Sequence, residues 1–132
     1  MNEPEWIEYA VVLAVHEAQL AEHGGLPGIR DQGLLDSAIA RSKHLFTYSP
    51  TATLRHLAAA YALGIGRNRA FFDGNKRTAW IISALLLELN GISVIAAQEE
   101  VVEIMLGVAD GSITEESFLV WLEQSSVTTD LN

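Results

Sequence analysis

The chain has 132 residues, no cysteine, 49% hydrophobic residues and a formal net charge of −9. The length fits one domain around one core, and the lack of Cys excludes a disulfide scaffold, a thiolate metal site and a Cys nucleophile. The apolar content excludes a disordered chain, and the acidic balance excludes a general binder of nucleic acid or anionic membrane.

Helix signals recur along the chain and strand signals are scarce. Pro4 suits a first helical turn, and Trp6, Ile7, Ala10, Val11, Ala14, Val15 and Ala18 follow as a stripe of helical period, stopped by Gly24 and Gly25. Gly24-Gly25-Leu26-Pro27-Gly28 reads as a tight inter-helix turn. Asp31 is the expected N-cap of a second helix carrying Leu34, Leu35, Ala38 and Ile39. Ser49-Pro50 is the expected start of a third, through Leu57, Tyr61 and Ile65. A fourth is expected to begin near Gly74-Asn75 and to end at Asn90-Gly91.

Residues 92–96 form a short β-like stretch. A fifth helix is expected over 99–109, ended by Gly111, and Ser112-x-x-Glu115 resembles a capping box for a sixth. The class predicted is all-α, a single domain of about six helices over 1–124. Residues 125–132 are expected to be a flexible tail. The longest apolar stretch, residues 78–87, is about half of the ~20 needed to span a bilayer. The acidic N-terminus has no basic leader, so cytoplasmic residence is expected.

The fourth helix is apolar nearly all round, from Ala79 through Trp80, Ile81 and Ile82 to Leu89, so it is predicted to be the central one. Its first turn carries Lys76 and Arg77. Helix N-termini repel cations, because their unpaired N–H groups already place positive potential there. Over residues 67–77, Arg67, Arg69, Lys76 and Arg77 stand against the single carboxylate of Asp73, a net of +3 in an acidic protein. An anion resolves the conflict: free N–H groups, a Lys and an Arg together make a phosphate site. Gly74 allows close backbone approach, and Asp73 can hold Mg²⁺ beside a phosphate. A solvated N-terminus capped by Asp73, with two snorkelling cations, is the competing reading.

Phe71-x-Asp73-Gly74-Asn75-Lys76-Arg77-Thr78-Ala79 resembles the signature loop of the Fic/Doc family, closest to the Doc ("death on curing") toxin branch, where the loop reads H-x-F-x-D-(A/G)-N-K-R-T-A. His16-Glu17, the Gly24 to Gly28 turn, the following helix ending Ala40-Arg41, Asn90-Gly91 and Gly111-Ser112-Ile113-Thr114 fall in Doc-like order, so the resemblance covers roughly residues 13–124. It implies a Fic-like helical fold with the loop between its two central helices. It also implies ATP-dependent modification of a protein hydroxyl, with Mg²⁺. Asp73 would hold the metal. Gly74, Asn75, Lys76 and Arg77 would cradle the phosphates, Arg77 taking part in catalysis, and Phe71 would pack the loop down.

Three departures refine this. Lys76 stands where the AMP-transferring pattern has a second Gly, and Trp80 where it has a second Arg. In Doc-like proteins this accompanies an inverted nucleotide and transfer of a phosphoryl group, with elongation factor Tu as target. The third departure is at the head of the loop. The family's catalytic His position is Arg69 here, and Arg cannot be deprotonated in a protein, so it cannot be a general base. The resemblance therefore implies a Doc-like toxin kinase impaired at Arg69. AMP transfer and a non-catalytic Fic-fold binding protein are the alternatives.

His16, His23, His44 and His56 read as structural. Leu45-Phe46-Thr47-Tyr48 reads either as a flap that pairs with a target or as a loop plugging the core. The family's inhibitory S/T-x-x-x-E-G/N pattern is incomplete at Ser112 to Ser117. Restraint is thus expected from a separate Phd-like antitoxin, whose disordered segment folds as a helix into a groove.

Overall fold

The structure, a computed structural model, describes residues 1–129. Six helices run α1 (Tyr9–His23), α2 (Gln32–Tyr48), α3 (Leu54–Asn68), α4 (Asn75–Leu89), α5 (Gln98–Asp110) and α6 (Glu115–Gln124). Two short strands, β1 (Ile92–Val94) and β2 (Ser126–Thr128), pair antiparallel with Ile92 opposite Thr128. The all-α class predicted from periodicity is the class observed, and no described helix is long and apolar enough to cross a membrane.

The most enclosed helix is α3 rather than α4. Every residue from 57 to 66 is buried, and α3 packs on α2, α4, α5 and α6. Its small residues allow this. A Cβ on Gly64 would lie 3.2 Å from the Ala38 Cα and carbonyl oxygen, so the backbones of α2 and α3 nearly touch. Helix α4 buries Thr78, Ala79, Ile82, Ser83, Leu86 and Leu87 against α3 and its neighbours, while Trp80, Ile81 and Leu85 are half-buried and Leu89 is exposed. All-round apolarity signalled contact on several sides, but the helix with the smallest side chains occupies the centre.

Several element starts differ from expectation, each because a specific hydrogen bond prevails. Helix α1 begins at Tyr9, not near Pro4. The Glu5 N–H donates to Asn90 Oδ1 (2.8 Å) and the Asn90 amide donates back to the Glu5 carbonyl (3.0 Å), which holds the N-terminal strap extended. Asp31 caps α2 as expected, accepting from the Leu34 N–H at 3.0 Å. That helix runs on through Tyr48, so residues 45–48 are its last turn and not a loop: Leu45 and Phe46 pack against the core, Phe46 meeting Trp6 edge-on, while Tyr48 is exposed. Thr53, not Ser49, caps α3. Its hydroxyl accepts from the His56 N–H and its own N–H donates to His56 Nδ1, a reciprocal capping box. Thr114 rather than Ser112 caps α6, accepting from the Ser117 N–H at 3.1 Å.

Residues 125–129 belong to the segment expected to be a tail. They pair with the segment after α4, through Ile95 N–H to the Ser125 carbonyl (2.6 Å) and Thr129 N–H to the Gly91 carbonyl (2.7 Å). Backbone groups at 91–95 needed a partner, and this segment supplies it. The remaining residues of that expectation, 130–132, lie outside the described residues.

The α2–α3 contact is directly testable. Gly64→Ala improves helix propensity yet forces two backbones apart, and overpacking prevails. Stability is expected to fall by about 1–3 kcal/mol, read from urea unfolding.

Candidate phosphate site at the start of α4

Residues 69–74 join the most buried helix to α4, and three side chains from elsewhere, those of Arg30, Asn75 and His16, hold them in place. At the end of α3, Arg69 adopts φ 53° and ψ 47°, the left-handed region, and is the one described non-glycine residue with positive φ. Its carbonyl accepts from Arg30 Nε (2.7 Å), and the Asn68 carbonyl accepts from Arg30 Nη2 (3.3 Å), so a guanidinium satisfies the end of α3. The Ala70 carbonyl then accepts from the Arg30 and Asp31 N–H groups (2.7 and 3.0 Å), and Ile29 and Phe71 form an isolated antiparallel bridge. The segment that follows the Gly24 to Gly28 turn is therefore tied to the loop before α4.

Phe71 is buried, as expected. Its backbone is clamped by Asn75: the Phe71 N–H donates to Asn75 Oδ1 (3.0 Å), and Asn75 Nδ2 donates to the Phe71 carbonyl (2.9 Å). The Asn75 side chain, expected to touch phosphate, is thus committed to the loop, which leaves its backbone N–H for a ligand. On the other side the His16 ring stacks on Phe71 with centroids 3.6 Å apart and planes tilted by 10°. His16 Nε2 lies 2.8 Å from the Asp73 carbonyl oxygen, to which it donates.

Asp73 is exposed, and its Oδ2 accepts from the Leu26 N–H at 2.6 Å. Gly25 makes this approach possible, since a Cβ there would lie 2.9 Å from Leu20 Cδ2 and 3.0 Å from Asp73 Cβ. Oδ1 has no hydrogen-bond partner among the described residues. No group of three or more His, Asp or Glu side chains suited to a metal occurs among the described residues. One carboxylate completed by phosphate oxygens and water is a donor set that suits Mg²⁺, and no all-protein cage is required.

Gly74 (φ 81°, ψ 12°) occupies the N-cap position of α4, which has no side-chain cap and no acidic residue in its first turn. The N–H groups of Gly74, Asn75, Lys76 and Arg77 find no acceptor among the described residues. Lys76 and Arg77 are exposed and have no carboxylate within ion-pair distance among the described residues. Both, with Gly74 and Asn75, line a cavity of about 580 Å³ whose lining also includes Trp80, Met105 and Leu106. Phe71, Asp73 and Arg69 are not among its lining residues. Phe71 lies beneath the loop, Asp73 at the Leu26 side, and Arg69 is exposed at the loop's head.

The cationic island is also divided. Arg67 donates to the Val108 and Ile113 carbonyls (3.2 and 2.9 Å), fastening α3 to the turn after α5, and does not join the site. Conversely, His16, Arg30 and Gly25 were not singled out from sequence as site residues. The available signal for His16 was its place one turn beyond Val12 on the buried face of α1, where a polar residue needs a partner.

A model of the Fic/DOC family matches residues 6–87. The chain is similar to "Protein kinase doc" of Escherichia phage P1, 33% identical over 106 residues that span 80% of this chain and 83% of that protein. It is also similar to "Toxin Doc" of Mycolicibacterium smegmatis, 40% identical over 74 residues, which are 55% of this chain and 57% of that protein.

Asn75→Ala removes both bonds to Phe71 and leaves two backbone groups to find new partners. A loss of about 1–3 kcal/mol is expected. Hydrogen exchange at the Phe71 amide checks it, with protection lost ahead of global unfolding.

Proposed function

The chain belongs to the Fic/DOC family, on its Doc branch, and from that premise we propose that it is a Doc-type toxin built to transfer the γ-phosphoryl group of ATP to a hydroxyl of a translation factor, elongation factor Tu. The observation that carries this is the start of α4: four N–H groups without acceptors and two cations without partners among the described residues line one cavity. Lys76 and Arg77 bind and orient phosphates, Arg77 also stabilising charge that develops on the transferred group. Asp73 Oδ1, without a partner among the described residues, would hold Mg²⁺, which would supply neutralisation of phosphate charge. Lys76, in place of a glycine, supports phosphoryl rather than AMP transfer, because a cation at that point changes where the phosphates can lie.

In the transfer, a bond forms from the target oxygen to phosphorus, the bond to the β-phosphate oxygen breaks, ADP leaves, and the hydroxyl proton goes to a base. Position 69 is where the family keeps that base. The Arg69 guanidinium is already protonated and cannot accept the proton. This chain therefore holds phosphate-binding groups without the proton acceptor, and it is impaired as an enzyme. The same observation favours a second reading, a Fic-fold protein that binds nucleotide and partner without turnover. In either case a Phd-like antitoxin in the cytoplasm restrains the protein by seating a helix in a surface groove.

Arg69→His separates the readings. With elongation factor Tu, Mg²⁺ and labelled ATP, the variant is expected to transfer label about 10²–10⁴-fold faster than the unmodified chain. The adduct mass should be that of a phosphate; an AMP adduct would establish the AMP-transferring alternative. A folded Arg69→His protein that binds Mg·ATP but transfers nothing would leave the binding-protein reading.

A further inference from the structure

We infer that His16 is a positioning residue of the phosphate site, aiming the Gly74 amide and fixing the Phe71 to Gly74 backbone. The inference rests on the nucleotide reading above and goes beyond it, since His16 lies 57 positions from Asp73 in the chain. One imidazole touches three of the four residues leading into α4. Its face lies on the Phe71 ring, its Nε2 holds the Asp73 carbonyl, and its Cδ2 edge would stand 3.4 Å from a Cβ on Gly74.

The hydrogen bond carries directional information. In a trans peptide the C=O and the following N–H point to opposite sides of the chain. Drawing the Asp73 carbonyl toward α1 therefore turns the Gly74 N–H away from α1. That N–H has no acceptor among the described residues, and the next three N–H groups of α4 share this property. With the Asp73 carbonyl released, the 73–74 peptide is free to flip. The first of the four phosphate-facing donors would then be lost, and the Asp73 carboxylate would move with it.

Two other roles fit the geometry less well. A histidine that only fills the core needs some acceptor for its N–H, but it would not have to engage Phe71, Asp73 and Gly74 of one loop at once. A substitute for the missing base would need a bare nitrogen open to a substrate hydroxyl. Nε2 carries a proton committed to Asp73, and the residue is only 6% exposed.

The test compares two substitutions in the full chain. His16→Phe keeps a flat ring against Phe71 and removes the donor; His16→Gln removes the ring and keeps an N–H at similar reach. Calorimetric titration with Mg·ATP is expected to show affinity reduced about five- to tenfold in His16→Phe and within about twofold of the unmodified chain in His16→Gln. Exchange protection of the Phe71 amide should follow the same order. Equal affinity in His16→Phe and the unmodified chain overturns the inference. So does equal loss in both variants, which would assign the effect to ring packing. If the unmodified chain binds no Mg·ATP, the nucleotide reading fails; the exchange measurement then decides alone, and unchanged Phe71 protection in His16→Phe overturns the positioning role.

Discussion

The two hydrogen bonds between the Asn75 side chain and the Phe71 backbone close a loop that everything nearby depends on. They place Phe71 in the core while the chain turns into α4. With Phe71 fixed, the Ala70 carbonyl is presented to Arg30 and Asp31, and this sets the entry to α2 where Asp31 is the cap. The same closure brings Asp73 beneath Leu26 and Gly74 against α1. Helix α4 can then start only at Asn75, which puts Lys76 and Arg77 in its first turn. A helix begun one residue earlier would displace both cations and the free N–H groups. The position of the site is thus a consequence of the packing of Phe71.

The electrostatics follow from how the eight cationic residues are used. Arg30 and Arg67 satisfy helix-end and turn carbonyls, Arg41 pairs with Glu115, Arg55 bonds Ser126, and Lys43 lies over the Trp6 ring at 5.8 Å. Arg69, Lys76 and Arg77 are the three with no hydrogen-bond, ion-pair or ring partner among the described residues, and all flank one loop. In a chain with 17 acidic residues, leaving Lys76 and Arg77 unpaired among the described residues at the N-terminus of α4 maintains a local positive potential that an anion would relieve. Lys76 and Arg77 face the cavity; Arg69 stands apart at the loop's head.

Patterns of a few residues were legible in the sequence. The all-α class, the extent of α4 and the Asp31 cap needed only periodicity and capping chemistry, which act within one turn. The cationic first turn of α4 was legible as an exception because two cations violated a local rule. What sequence order hid was contact across distance. Asn90 straightening the N-terminal strap, Ser125 to Thr129 pairing with the segment after α4, and His16 against Phe71 each join residues far apart in the chain. The displaced helix starts have a local cause, since Thr53 with His56, or Thr114 with Ser117, was as good a cap as the neighbour preferred on sequence grounds. The central place of α3 was hidden for another reason: its residues read as ordinary small side chains, and smallness decides burial only once several helices compete for the same space.

Position 69 shows how far chemistry and fold are separable here. Its left-handed backbone is imposed from outside, by Arg30 on the carbonyls of residues 68 and 69 and by the ribbon through Ala70 and Phe71. The Arg69 side chain makes no bond among the described residues that contributes to this. A non-glycine residue in the left-handed region costs about 1–2 kcal/mol, and His, Asn and Asp occupy that region more readily than Arg. A histidine would therefore fit the backbone at least as well as the arginine does. The loop is held by Asn75, His16, Arg30 and Phe71, none of which needs the residue at 69 to be one type. A change of side chain at position 69 can therefore leave the loop and the first turn of α4 with the same geometry.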